Sequence, residues 1–209
     1  MKDFARARDR RVLEGLEEFR YMRSDQIAEL YFANIKNSTQ RTNKVSERMK
    51  KLLGQGLVKR FRYGCEPFIY TIDGVSNTNK HLHYLTVVEV MIELKKQQKK
   101  LPAGSVLRWE SEVKFDDIIC DLHIEYRNGF RGERKDYFIE VELNSSGDVL
   151  QKLDKYRRLF RARRREGAAG DCLYVLCSKV STVGKIERAE LDMPVVAMLL
   201  SDLPTGWTW

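Results

Sequence analysis

The sequence predicts an α/β chain organised as two domains. Three observations carry this reading. The first third holds three short amphipathic segments followed by two β-rich runs. The second half alternates apolar, β-branched runs with segments of helical period, the order of an α/β domain. Between them, Leu101-Pro102-Ala103-Gly104-Ser105 breaks both patterns.

A length of 209 residues fits one large domain or two small ones, and 43% hydrophobic content supports real cores. Four Pro and no Gly/Ser-rich tract argue against long disorder. No apolar run reaches the roughly 18 residues that a spanning helix needs. The start, Met1-Lys2-Asp3-Phe4-Ala5-Arg6, lacks the apolar stretch of a signal peptide. A cytoplasmic protein with no membrane partner is expected. Cys65, Cys120, Cys172 and Cys177 form no CxxC pair, and three of them sit in apolar runs, which suits buried free thiols in a reducing compartment. Net charge is +8, which favours an acidic partner, most commonly nucleic acid.

The apolar stripe Val12, Leu13, Leu16 and Phe19 predicts a helix over Asp9–Arg20. Ser24 is the expected cap of a second helix carrying Ile27, Ala28, Leu30 and Tyr31. Ser38 is the expected cap of a third, which buries Val45, Met49, Leu52 and Leu53 and stops at Gly54. Its opposite face carries Gln40, Asn43, Lys44, Glu47 and Lys51. Two strands follow, Leu57–Arg62 and Phe68–Ile72, around a Gly/Pro-bearing turn. Three helices and a hairpin are the order of a winged helix-turn-helix domain, expected over 1–78. Gln40, Asn43, Lys44 and Lys51 would reach groove edges, while Lys59, Arg60 and Arg62 would grip phosphate. A connecting helix and linker over 79–105 has Leu82, Leu85, Val88 and Ile92 at helical spacing. It would pack on the first domain or pair with a second copy as a homodimer.

The second domain, 106–209, is read around two strands. Asp116-Asp117-Ile118-Ile119-Cys120-Asp121-Leu122-His123-Ile124 and Tyr137-Phe138-Ile139-Glu140-Val141-Glu142-Leu143 set acids into apolar runs. Alternation puts Asp121, His123 and Glu125 on one face, with Cys120, Leu122 and Ile124 on the other. Glu140 and Glu142 likewise share a face. Acids in an apolar strand are costly unless paired or bound to a cation, which marks a candidate site. A broad loop centred between Phe130 and Arg131 would set Asp121 opposite Glu140. A tight turn on Asn128-Gly129 would set Asp117 there instead. A helix then buries Leu150, Leu153, Tyr156, Leu159 and Phe160. Its other side carries Lys155, Arg157, Arg158, Arg161, Arg163, Arg164 and Arg165, which suits a phosphate grip by Arg157, Arg158, Arg161 and Arg165. Leu173–Cys177, Val183–Leu191 and Pro194–Leu200 complete the order as strand, helix and strand.

The acid-bearing strands and the basic helix resemble the PD-(D/E)XK nuclease core. Together with the first domain, the chain resembles the replication-relaxation family of plasmids and related mobile elements. The resemblance implies a restriction-endonuclease-like second domain acting on double-stranded DNA, with replication or transfer proteins as further partners. It implies Mg²⁺, with Mn²⁺ as a substitute, held by Asp121 and Glu140. Glu142 is a further candidate for metal, and Glu110 takes the place of the acid on that fold's first helix. Glu142 also stands where the motif has Lys, and Lys152 is the candidate to replace it from the following helix. Two outcomes stay open: a metal-dependent endonuclease with a degenerate motif, or a non-catalytic DNA-binding regulator or scaffold of plasmid replication or transfer.

Overall fold

In the computed structural model, the described residues are 2–72, 80–98, 106–127, 134–143, 148–165, 170–189 and 191–202. They form six α-helices and two sheets, a mixed α/β chain. The chain divides into two compact units, Met1–Ile92 and Glu93–Trp209. None of the described helices is long and apolar enough to cross a membrane.

The first unit holds α1 (Lys2–Phe19), β1 (Met22–Arg23), α2 (Ser24–Tyr31), α3 (Ser38–Gly54), β2 (Lys59–Phe61) and β3 (Ile69–Thr71). Its strands form an antiparallel sheet of order β1-β3-β2. Val12, Leu16, Phe19, Ile27, Val45, Met49 and Leu52 are buried. α1 and α2 approach closely at Gly15, where a Cβ would lie 1.8 Å from the Tyr31 hydroxyl. The caps differ from the expected ones by one residue. Asn37, not Ser38, caps α3: its Oδ1 accepts from the Gln40 amide at 3.0 Å. At α2 the Gln26 side chain accepts from the Arg23 amide at 2.9 Å, and Ser24 is already helical. The Asn37 carbonyl satisfies an orphan first-turn amide as a Ser hydroxyl can, whereas Gln26 reaches back from the first turn to the amide of the cap residue, Arg23.

Helix α4 (His81–Gln98) crosses the boundary between the units. Its first half belongs to the first unit, where Gln26 Nε2 donates to the Leu85 carbonyl at 2.7 Å. The expected stripe is too narrow. Leu82 is exposed, while Val87, Val90, Met91 and Leu94 are buried along with Leu85, Val88 and Ile92. A helix that is apolar nearly all round is buried nearly all round.

The second unit is built on a five-stranded sheet of order β4-β5-β6-β7-β8: β4 (Val106–Phe115), β5 (Ile118–Arg127), β6 (Arg134–Glu142), β7 (Cys172–Cys177) and β8 (Val195–Leu199). The first three strands are antiparallel neighbours. β7 and β8 run parallel to β6, reached through α5 (Asp148–Arg165) and α6 (Val180–Arg188). Cys120, Phe138, Leu173, Val175 and Cys177 join Val149, Leu153, Tyr156 and Phe160 of α5 in one core. Leu150, expected inside, is an exposed side chain, and Val149 takes the buried place. β4 was not foreseen, because the stretch was read as a lead-in to the strands.

Candidate functional site

The acids meet through the register of β5 and β6. The ladder runs Tyr126↔Lys135, Ile124↔Tyr137, His123↔Phe138 and Leu122↔Ile139. One further step brings Asp121 level with Glu140, the broad-loop alternative. There the side chain takes over from the main chain: Asp121 Oδ2 accepts from the Val141 amide at 2.8 Å. The alternation of β5 slips at this point. Cys120 lies in the core with Phe138, and His123 packs on Phe138 as well, although three residues separate them. Strict alternation would put Cys120 and His123 on opposite faces, so the expected grouping of Cys120 with Leu122 and Ile124 does not hold. Across the sheet, the ladder passes from Ser111↔Leu122 to Val113↔Cys120 around Glu112, which has a φ of 50°. A local irregularity of this kind re-aims a side chain.

Helix α5 supplies the rest of the site. Lys152 and Tyr156 are four residues apart, so they share a helix face. The Lys152 ammonium contacts one oxygen of Glu140, and the Tyr156 hydroxyl donates to the other. Glu140 keeps 6% of its side chain exposed, against 36% for Lys152. Burial pushes the Glu140 carboxyl well above its usual range, and Asp121 beside it adds to the push. For Lys152, burial pulls the other way, but the neighbouring Glu140 and Asp121 outweigh it and the ammonium is favoured. Burial, followed by Glu140, drives the Tyr156 hydroxyl strongly upward, so Tyr156 stays a donor. Asp121, Glu140 and Lys152 thus converge.

The remaining acids stand apart. Glu110 lies in β4, not in a helix, and is exposed opposite His123. A pleated strand carries it because it pairs directly with β5. Glu142 is half-exposed at the end of β6, level with Cys177, whose thiol it helps to raise. Burial is the larger cause there, and the thiol reaches about 11. Among the described residues, no three or more His, Cys, Asp or Glu side chains gather where they could hold a metal ion. Among the described residues, Asp121 and Glu140 would have to provide the protein ligands.

A second charged cluster was missed in the sequence. Asp136 is 4% exposed. It bonds His123 Nε2 at 2.9 Å, Arg134 Nε at 2.9 Å and Arg163 Nη2 at 2.6 Å. Arg163 also reaches Asp171 at 2.6 Å. Burial raises the Asp136 carboxyl, but the hydrogen bonds from His123 and Arg134 win and hold it down to about 2. Arg163 had been grouped with the outward cations. It follows Tyr156 by seven residues, a spacing that returns to the same helix face and could have revealed it.

The expected phosphate contacts are all on the surface. Gln40, Asn43, Lys44 and Lys51 are exposed on α3, and Lys44 pairs with Glu47 at 2.7 Å. Lys59, Arg60 and Arg62 are exposed, with Arg60 and Arg62 lying 4.5 and 5.1 Å from the Phe68 ring centre. On α5, carboxylates already occupy several arginines. Arg157 contacts Asp154, Arg158 lies 3.5 Å from Asp117, and Arg161 Nε lies 3.1 Å from Asp192. Arg165 is exposed. Compared with protein-family models, curated proteins and solved structures, the chain finds no match in any of the three.

Proposed function

We propose that this chain is a DNA-binding protein with a nuclease-like second unit that cleaves one strand of duplex DNA with Mg²⁺. One observation carries the reading: Asp121 and Glu140 on the neighbouring interior strands β5 and β6 converge with Lys152 of α5, held by Tyr156 and the Val141 amide. The α3 polar face and the Lys59–Arg62 segment fit the winged helix-turn-helix part, which would find the duplex. This arrangement fits the resemblance to the replication-relaxation family of plasmids and mobile elements.

The acid pair suits a hard cation. Burial, with Asp121 beside it, raises the Glu140 carboxyl, and an approaching cation would relieve the repulsion between the two acids. Mg²⁺ typically takes one or two carboxylates and completes its shell with water and phosphate oxygens. When bound, such an ion supplies charge neutralisation and a more acidic water. Lys152, the more exposed member, offers its ammonium to the negative charge that grows on phosphate. Tyr156 fixes the Glu140 carboxyl, and the Val141 amide fixes that of Asp121.

A supercoiled-plasmid nicking assay with Mg²⁺ and with Mn²⁺ tests the reading. Asp121→Asn and Glu140→Gln should abolish nicking while leaving DNA affinity in place. Lys152→Ala should slow nicking more than it weakens binding. Lys155 faces elsewhere, 3.5 Å from the Asp117 carboxylate, so Lys155→Ala should change binding only. Nicking that survives Asp121→Asn would refute the assignment. The second reading, a non-catalytic regulator or scaffold, is favoured by one specific observation. No third acid joins the pair among the described residues. DNA binding without nicking in either metal would select it.

A further inference from the structure

A pocket of about 250 Å³ lies on the same sheet, lined by Arg108, Glu110, Phe115, His123, Glu125 and Arg134, with Trp109 and Val113. The acid pair does not use it. His123 is two residues from Asp121 on β5, about 7 Å along the strand. Asp136 holds the His123 ring on one side, and Phe115 meets it edge-on with ring centres 5.2 Å apart. Glu125 is bound to Arg127 at 2.9 Å and to Arg134 at 3.4 Å. Lys95 covers one face of Trp109, 4.9 Å from the ring centre. Arg108 and Glu110 are different. Both are exposed and sit two residues apart on β4, opposite Glu125 and His123, and neither side chain makes a hydrogen bond or ion pair with another described residue.

We infer that this pocket takes one unpaired guanine base from nucleic acid at the acid pair. The inference rests on the reading of the second unit as one that handles DNA. Aromatic rings in a pocket stack any unpaired base. The two unpaired charges then select. A guanidinium donates to guanine O6 and N7, and a carboxylate accepts from its N1–H and N2–H edge. Adenine offers Arg108 only N7, and cytosine offers Glu110 a donor but lacks the O6/N7 pair. The spacing from Asp121 lets a nucleotide set its phosphate at the acids and its own or its neighbour's base in the pocket.

Isothermal titration of the full chain with GMP, CMP and inorganic phosphate, without metal, tests this. GMP should bind about tenfold more tightly than CMP, and phosphate should bind most weakly. Arg108→Ala and Glu110→Ala should each weaken GMP binding by about tenfold. Both side chains are exposed, so the thermal melt of each variant should match the wild type. GMP binding no tighter than phosphate, equal binding of GMP and CMP, or unchanged binding in both variants would each overturn the inference. The two readings fail separately: a wild type that binds GMP but never nicks DNA keeps the pocket and loses the catalytic acid pair.

Discussion

Replacing Asp136 with Asn should cost the second unit about 2 kcal/mol at pH 7, and that cost should fall in acid. Asp136 is 4% exposed and is bonded by His123, Arg134 and Arg163. These bonds hold its carboxyl at about 2, against an ordinary value of 3.8. A depression of nearly two units, at about 1.4 kcal/mol each, sets the magnitude. The folded value is below the unfolded one, so the stabilisation is complete above pH ~4 and is lost as pH falls toward ~2. At pH 3 roughly half should remain. Asn keeps the size and removes the charge, so the variant lacks this dependence. Urea unfolding of both proteins at pH 7 and pH 3 measures the difference. A cost under about 0.5 kcal/mol at pH 7, or one that does not shrink at pH 3, would refute the claim that Asp136 anchors this cluster as a charge.

Three further outcomes follow from named contacts. Lys44→Ala with Lys51→Ala should weaken duplex binding by about tenfold and flatten its salt dependence, read by fluorescence anisotropy across a salt series. Asp117→Asn with Asp192→Asn should tighten binding a few-fold at low salt, because Arg158 and Arg161 lose their internal carboxylates, and the gain should fade as salt rises. Tyr156→Phe should lower stability in urea by about 1–2 kcal/mol, because the buried Glu140 carboxyl loses its hydroxyl donor.

The sequence was informative where a short rule governs the outcome. Asp121 and Glu140 are equally far from the centre of a broad loop, and the ladder from Arg127↔Arg134 to Leu122↔Ile139 keeps that register. Lys152 and Tyr156 are one turn apart, and both reach Glu140. The rule failed where the backbone departs from it. Alternation placed Cys120 away from His123, but the strand slips beside Asp121, opposite Glu112 with its positive φ. The strand from Val106 to Phe115 was missed because the stretch was read as a lead-in, although Arg108, Glu110, Glu112 and Lys114 fall at every second position, the period of a half-buried strand. Arg163 was missed because a run of arginines reads as one solvated face, whereas two buried carboxylates, Asp136 and Asp171, turn one of them inward. The caps of α2 and α3 were displaced by one residue because Gln26 reaches back to the Arg23 amide and Asn37 takes the Gln40 amide, so each helix starts one residue earlier.

The central claim is that Asp121 and Glu140 together hold a divalent cation. Electron paramagnetic resonance of Mn²⁺ titrated into the full chain tests it without relying on cleavage. The wild type should remove free Mn²⁺ signal with a stoichiometry of one, while Asp121→Asn and Glu140→Gln should each lose that binding. Binding should also weaken as pH falls, because the proton favoured on Glu140 competes with the ion. An unchanged Mn²⁺ titration in both variants, or no binding by the wild type, would contradict the claim.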